Sequence, residues 1–238
     1  MKTRRYLLLL SCLLLGSSFI LLPDWPNLDI LKDYPKVGET CSIDGKSNAT
    51  ANKKAQNRLK NRYRMPVNNV FEEMTIQDII DLPSGTKVIK PPLNSPNHSR
   101  AVSVIGFVKD VNFGGTKGES CNCGATDRGM VDTHIDLVLD GNDTDETGKN
   151  LIVAEVTFRT QILAQNGLLA SNIGNKWTKK NLRDRLLGRR VKFSGWLFYD
   201  YDHHGETWVV DPDNTFDRNN WRATAWEIHP VMAIEVLN

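Results

Sequence analysis

Beyond residue 100 the chain passes from a proline-punctuated, mostly polar stretch to runs in which apolar and polar positions alternate, the period of a half-buried strand. The first run, Val102 to Val111, places Val102, Val104, Gly106 and Val108 on one face, and its central glycine predicts a bend or a bulge. The second, Thr133 to Asp140, sets Ile135, Leu137 and Leu139 inward and His134, Asp136 and Val138 outward. In the third, Leu151 to Phe158, Glu155 falls on the opposite face from Ile152, Ala154 and Val156. Thr178 to Leu187 reads as a helix capped by Thr178 and stopped by Gly188. Arg189 to Tyr199 is a fourth strand, again with a central glycine. Ala223 to Val236 is a fifth, in which Pro230 predicts a break or an edge position.

Three strands, a helix and two strands is the order of the OB-fold, a partly open Greek-key barrel. Glycines in the middle of the first and fourth strands suit the sharp bends of such a barrel. The expected fold class is therefore mainly β: an OB-fold-like five-stranded small barrel over 100–238, with a helix between strands three and four and short helices before it. Those helices are a basic one at 51–64 (ANKKAQNRLKNRYR), ended by Pro66, and a docking helix within 73–82, where Met74, Ile76, Ile79, Ile80 and Leu82 have partly helical spacing. Pro83, Pro91, Pro92 and Pro96 make 83–100 a linker, and 23–50, rich in Pro, Gly, Asn and Asp, reads as a tether.

The N-terminus adds a compartment. Residues 6–22 carry no charge and follow Lys2, Arg4 and Arg5, the layout of an export signal or membrane anchor. Cleavage after Ser18, retention as an anchor and lipidation at Cys12 all fit, with signal or anchor ranked above lipoprotein. In each case the remainder is exported to the periplasm, the envelope or the exterior, and the membrane is met only through this segment. Charge then changes the picture. The formal net charge of +2 combines +3 from that n-region and +6 from the 51–64 helix, so the rest of the chain is acidic. Residues 101–238 hold 15 basic and 19 acidic groups, which counts against phosphate-backbone binding.

Apart from Cys12 the cysteines are Cys41, Cys121 and Cys123. An odd number in an oxidising compartment leaves one thiol free or shared between chains. A bridge within C-x-C is strained, so Cys41 is expected to pair with Cys121 or Cys123. A soft-metal or redox site is the other reading of that C-x-C. Asn48, Asn97 and Asn142 stand in N-x-[ST] sequons.

The stretches DTHIDLVLD (132–140), GWLFYDYDH (195–203) and NWRATAWEIHPVMAIEV (220–236), with the basic RLKNRYRMP (58–66), resemble a family of uncharacterised exported bacterial proteins with an OB-like domain. The resemblance spans most of the chain after the tether and implies the fold and export, and no activity. A second comparison, with OB-fold secreted nucleases, does not place their arginine and carboxylate pattern on this chain.

Candidate chemistry rests on the histidines and carboxylates. Alternation puts Asp132, His134 and Asp136 on one side of their strand and Glu227 with His229 on theirs. If those sides coincide, His134, Asp136, Glu227 and His229 are candidates for general acid-base or metal-assisted hydrolysis. His134, His203, His229 and Asp200 are candidates to ligate a divalent metal, the one cofactor considered. The plainer reading pairs His134 and His229 with neighbouring carboxylates. His98, in the linker, is expected to be incidental. Trp196, Tyr199, Trp226 and Arg222 are the ligand-binding candidates, with Trp196, Tyr199 and Trp226 in an aromatic platform of the kind OB-folds use for single strands, beside the basic stretch 176–192. The acidic loop 200–214 has oxygen ligands at short spacing but not the EF-hand arrangement, and reads more simply as a solvated loop. Three functions follow: an exported OB-like binding module without demonstrated catalysis and of unknown ligand, a metal-assisted hydrolase such as a nuclease, and a binder of single-stranded nucleic acid or another polyanion.

Overall fold

The computed structural model describes residues 35–36, 39–114, 118–215 and 219–238. The expected signal or anchor, 1–22, and half of the expected tether lie outside them. Among the described residues no helix is long and apolar enough to cross a membrane.

The five expected strands form a closed barrel. In chain order the elements are β1 (Pro35–Lys36), β2 (Glu39–Thr40), α1 (Ala51–Lys60), β3 (Glu72–Met74), α2 (Ile76–Ile80), β4 (Ala101–Phe113), β5 (Thr133–Val138), β6 (Ile152–Val156), α3 (Phe158–Gln165), β7 (Ala170–Ser171), α4 (Lys179–Leu186), β8 (Arg190–Tyr199) and β9 (Trp226–Val236). Strand β4 pairs antiparallel with β5 and β8, β5 antiparallel with β6, β8 antiparallel with β9, and β6 closes the ring by running parallel to β9. That is the OB-like order, with α3 and α4 between its third and fourth strands. Two short strands extend it: β3 parallel to β4 and β7 parallel to β9. Helix α4 has the expected cap, since the Thr178 hydroxyl accepts from the Asn181 amide.

Alternation builds the interior. Val102, Val104, Val108, Ile135, Leu137, Ile152, Ala154, Val156, Leu197, Trp226 and Ile228 share one hydrophobic core. The expected irregularity in β4 comes slightly later than Gly106: the register shifts between Val108 and Asp110, which lets Val111 follow Val108 inward. Gly106 instead leaves room for α2, because a Cβ there would stand 2.8 Å from the Ile76 Cδ1. Leu139, expected inward, is 61% exposed, because β5 ends at Val138 and the polar turn has begun. Val138, expected outward toward solvent, is buried with Leu151 and Val153 in a second small cluster on the other face of the sheet. Strand β9 runs on through Pro230 rather than breaking there; the register with β8 shifts around Gly195, where a Cβ would meet the Pro230 carbonyl oxygen at 2.4 Å.

The stretch 51–99, expected as helices and a linker ahead of the domain, is packed on the barrel. Met74, Ile76 and Ile79 belong to the core, and α2 is held by a capping box in which Thr75 and Asp78 satisfy each other's backbone. The indole N–H of Trp226 donates to the Pro83 carbonyl and the Tyr199 hydroxyl to the Ser84 carbonyl, tying the proline-rich stretch to the barrel. His98, expected to be incidental, is buried against Phe198, Tyr201 and Trp226, with its Nε2 3.1 Å from the Tyr201 hydroxyl. Burial, with the nearby Arg62, lowers its pKa to about 4. Helix α1, the expected basic helix, buries Asn57 and Lys60. A disulfide joins Cys41 to Cys123 and leaves Cys121 a buried thiol, choosing one of the two expected pairings.

Candidate functional site

The outward face of β5, β6 and β9 is covered by the 41–64 segment, the 118–132 loop and the stretches 200–215 and 219–222, and most of the polar residues of that face are as dry as the core. Asp132, Glu155, Asp200, Arg222, Glu227 and His229 are each at most 1% exposed. Register explains the convergence: His134 stands opposite Glu155 across β5 and β6, and Glu227 stands beside Val153 across β6 and β9. Two residues further along β9, alternation brings His229 to the same face.

The contacts form a chain. His203 Nδ1 is 2.5 Å from Asp200 Oδ2, and Arg222 bridges Asp200 at 3.1 Å and Glu227 at 2.9 Å. Glu227 Oε1 is 2.9 Å from His229 Nδ1, whose ring also lies 3.2 Å from Glu155 Oε2; Glu155 Oε1 in turn is 2.8 Å from His134 Nε2. From the α1 side, Lys60 Nζ approaches Glu119 at 3.5 Å. Arg159 of α3 donates to the Cys41 carbonyl and the Asn61 side chain.

Burial favours the neutral form of such groups, and neighbouring charges oppose it to different extents. Asp132 is raised to about 7 by burial, which the nearby His229 only partly opposes. Burial works against charge on His134, yet Glu155, Glu227 and Glu119 outweigh it and raise His134 to about 9. His229 moves up for the same reason, with Glu155 and Glu227 overcoming burial. Glu155 is held below the usual carboxylate range by His134 and His229 despite its burial, and Asp200 by Lys60, His203 and Arg222. Glu119, Asp132, Glu155, Asp200 and Glu227 thus face the cations Lys60, Arg159 and Arg222 and the His203 ring beside Asp200, and the carboxyl groups still outnumber these basic ones. Protons on His134 and His229 can supply further positive charge, and so can a divalent ion.

Hydrogen bonding separates these two solutions. A carboxylate only accepts, so His229 Nδ1 is the donor to Glu227, and the free lone pair or second proton sits on Nε2. That Nε2 has no hydrogen-bond partner, and neither oxygen of Asp132 accepts one; the two side chains face each other at 3.7 Å, too far for a hydrogen bond. Ligand atoms of Asp132, Glu155 and His229 all lie within 4.8 Å of one another, and the same holds for Glu119, Cys121 and Asp132, and for Glu155, Asp200 and Glu227. Arg222 already neutralises the last of these groups. Asp132, Glu155 and Glu119 were outside the expected ligand set; the signal for Asp132 was its place two residues before His134, that for Cys121 was the C-x-C with its soft-metal reading, and nothing local marked Glu119.

Of the expected site residues, His229 and Glu227 are at the centre and His134 at the margin, bridged to His229 by Glu155. Asp200 comes within ligand reach of Glu155 and Glu227, with His203 on its other side, and the expected set of His134, His203, His229 and Asp200 does not occur together in any of the three ligand groups. Asp136 projects from the same face, with burial raising it to about 6, and is outside all three ligand groups. The aromatic platform is not assembled. Tyr199 and Trp226 are buried in the core, and Arg222, the remaining ligand-binding candidate, is buried between its carboxylates. The Trp196 indole donates to the Arg64 carbonyl, with the Arg62 guanidinium over its ring. The basic stretch 176–192 is in part paired locally: Lys180 with Asp184, Arg183 with Asp110 and Lys192 with Glu73. The acidic loop, expected to be solvated, turns several of its acids inward, with Asp200 in the cluster and Asp211 paired with Lys87 at 2.7 Å.

Fold and site together define an OB-like small barrel with a buried, histidine-containing carboxylate cluster on its outer face. No protein-family profile matches the chain, and no curated protein matches its sequence.

Proposed function

We propose that this protein is an exported OB-like binding module that holds a divalent metal ion between Asp132, Glu155 and His229. The observation that carries the reading is the fully buried pair of unpartnered groups, His229 Nε2 and the Asp132 carboxylate. Metal-ligating histidines commonly donate their other ring N–H to a carboxylate, which fixes the tautomer and aims the lone pair. Glu227, itself held by Arg222, does this for His229. An ion at about 2.0–2.2 Å from each ligand satisfies the groups that protons leave without hydrogen bonds, and brings positive charge among the carboxyl groups. A nitrogen and two carboxylates suit a transition ion of the zinc class. The Cys41–Cys123 disulfide supports export, because such bonds persist in oxidising compartments. A catalytic ion would need an open coordination position, and the near-complete burial of all three ligands favours binding over the hydrolase reading.

The test is metal content and calorimetry on the purified chain exposed to Zn²⁺, Co²⁺ and Mn²⁺. Retention of an ion by the wild type, with loss in both His229→Gln and Asp132→Asn, is expected. Binding should release protons, so the apparent heat should vary with the ionisation enthalpy of the buffer. Failure of every ion to bind or to raise the melting temperature would overturn the reading.

A further inference from the structure

We infer that the cluster takes a second divalent ion between Glu119, Cys121 and Asp132, with the Asp132 carboxylate bridging the two ions. The inference rests on the reading of Asp132, Glu155 and His229 as the first metal position. Asp132 belongs to both ligand groups, it is 1% exposed, and each of its two oxygens lacks a hydrogen bond. One carboxylate with two unpartnered oxygens between two sets of ligand atoms is the geometry a bridging carboxylate needs.

The second position also has its own donor set. The disulfide consumes Cys41 and Cys123, so Cys121 remains a thiol, 2% exposed, and it donates to Glu119 Oε2 at 3.2 Å. Its segment is held from several sides. Asn61 Nδ2 donates to the Cys121 carbonyl at 3.0 Å, Asn57 Nδ2 donates to the Ser120 hydroxyl at 2.9 Å, and the disulfide pins Cys123. A sulfur ligand selects a borderline or soft ion such as Zn²⁺ or Co²⁺ over Mg²⁺ or Ca²⁺.

Proton balance gives the second position its character. In the absence of an ion the Cys121 S–H points its proton at Glu119 Oε2. Coordination removes that proton, which leaves as a solvent proton while a metal–thiolate bond forms with no change of oxidation state. The Lys60 ammonium, 3.5 Å from Glu119, competes for the same carboxylate. The second ion therefore binds more weakly than the first, and Lys60→Gln should tighten it.

Co²⁺ titration of the full, disulfide-intact chain reads both positions. The expected result is two ions per chain, with a sulfur-to-cobalt charge-transfer absorption that grows only with the second equivalent. Cys121→Ser should keep one ion and lose the band. One ion and no band would overturn the bridge and leave the first position standing. A thiolate band at a final stoichiometry of one would also overturn it, placing Cys121 on the first ion. No Co²⁺ bound at all would remove both readings. The wild-type stoichiometry and spectrum decide among these outcomes even if the variant does not fold.

Discussion

Strands β5, β6 and β9 present two faces, and both are dry. The inward face carries Ile135, Leu137, Ile152, Ala154, Val156, Trp226 and Ile228; the outward one carries His134, Glu155, Glu227 and His229, together with the apolar Val138 and Val153. The same alternation produced both, and only the coverings differ. The inward face closes on itself as a barrel, where burial is non-directional and each side chain contributes through the area removed from water. The outward face is closed by three segments distant in sequence, and each charge there is tolerable only because a specific partner arrives with them. Apolar burial can thus be relaxed one methylene at a time, whereas the polar face loses a partner all at once.

The largest expected effect breaks the polar face at its centre. Arg222→Met leaves Asp200 and Glu227 buried without their shared cation and should destabilise by about 3–5 kcal/mol in urea denaturation. Adding Asp200→Asn and Glu227→Gln should restore a good part of that loss. No recovery in the triple variant would mean that Arg222 acts through packing. Next, reduction of Cys41–Cys123, whose partners are 82 residues apart, should cost about 2–4 kcal/mol and weaken metal binding, since the bridge holds the segment with Glu119 and Cys121. The melting temperature with and without reductant, at several Zn²⁺ concentrations, checks both effects. A third measurement separates the faces directly: saturating the wild type at 100 times Kd should add about 2.7 kcal/mol, and His229→Gln should abolish the gain. Ile135→Val, by contrast, should cost about 0.5–1.5 kcal/mol and leave the metal-dependent gain intact. A change in that gain would show that the two faces are not energetically separate.

A pH-dependent effect lies where the two regions meet. His98 packs on Phe198, and the Phe198 ring is 5.5 Å from that of His229. A histidine whose pKa falls to about 4 on folding binds fewer protons folded than unfolded, so stability rises with pH between about 4 and 6.5. His98→Gln should flatten that acid limb in a series of denaturant midpoints. An unchanged limb would place its origin in other groups.

Much of the fold was legible in the sequence. The five period-two runs, the Thr178 cap and the strand–helix order led to the barrel, because these signals are local. Leu139 misled because strand ends are set by where the partner strand stops. The short strands β3 and β7 carry no pattern of their own at three and two residues; pairing with β4 and β9 creates them. For the site, the shared sides of His134 and Asp132, and of Glu227 and His229, followed from alternation. Aromatic residues were harder to place, since Trp and Tyr suit a core with one hydrogen-bond outlet as well as a binding surface, and Trp226 and Tyr199 found their outlets in the Pro83 and Ser84 carbonyls.

By itself the sequence determined which residues share a strand face, which helix is capped, and that Cys41 has a partner in the C-x-C, because each depends on spacing over a few residues or on a small set of alternatives. The tertiary structure alone decided that the outward face is buried, that Lys60, Glu119 and Cys121 join it from remote segments, and that Arg222 serves carboxylates rather than a ligand. Those outcomes depend on Coulomb and hydrogen-bond partners brought together across up to 167 residues of chain, as when Arg62 donates to the His229 carbonyl, and no local pattern encodes that meeting.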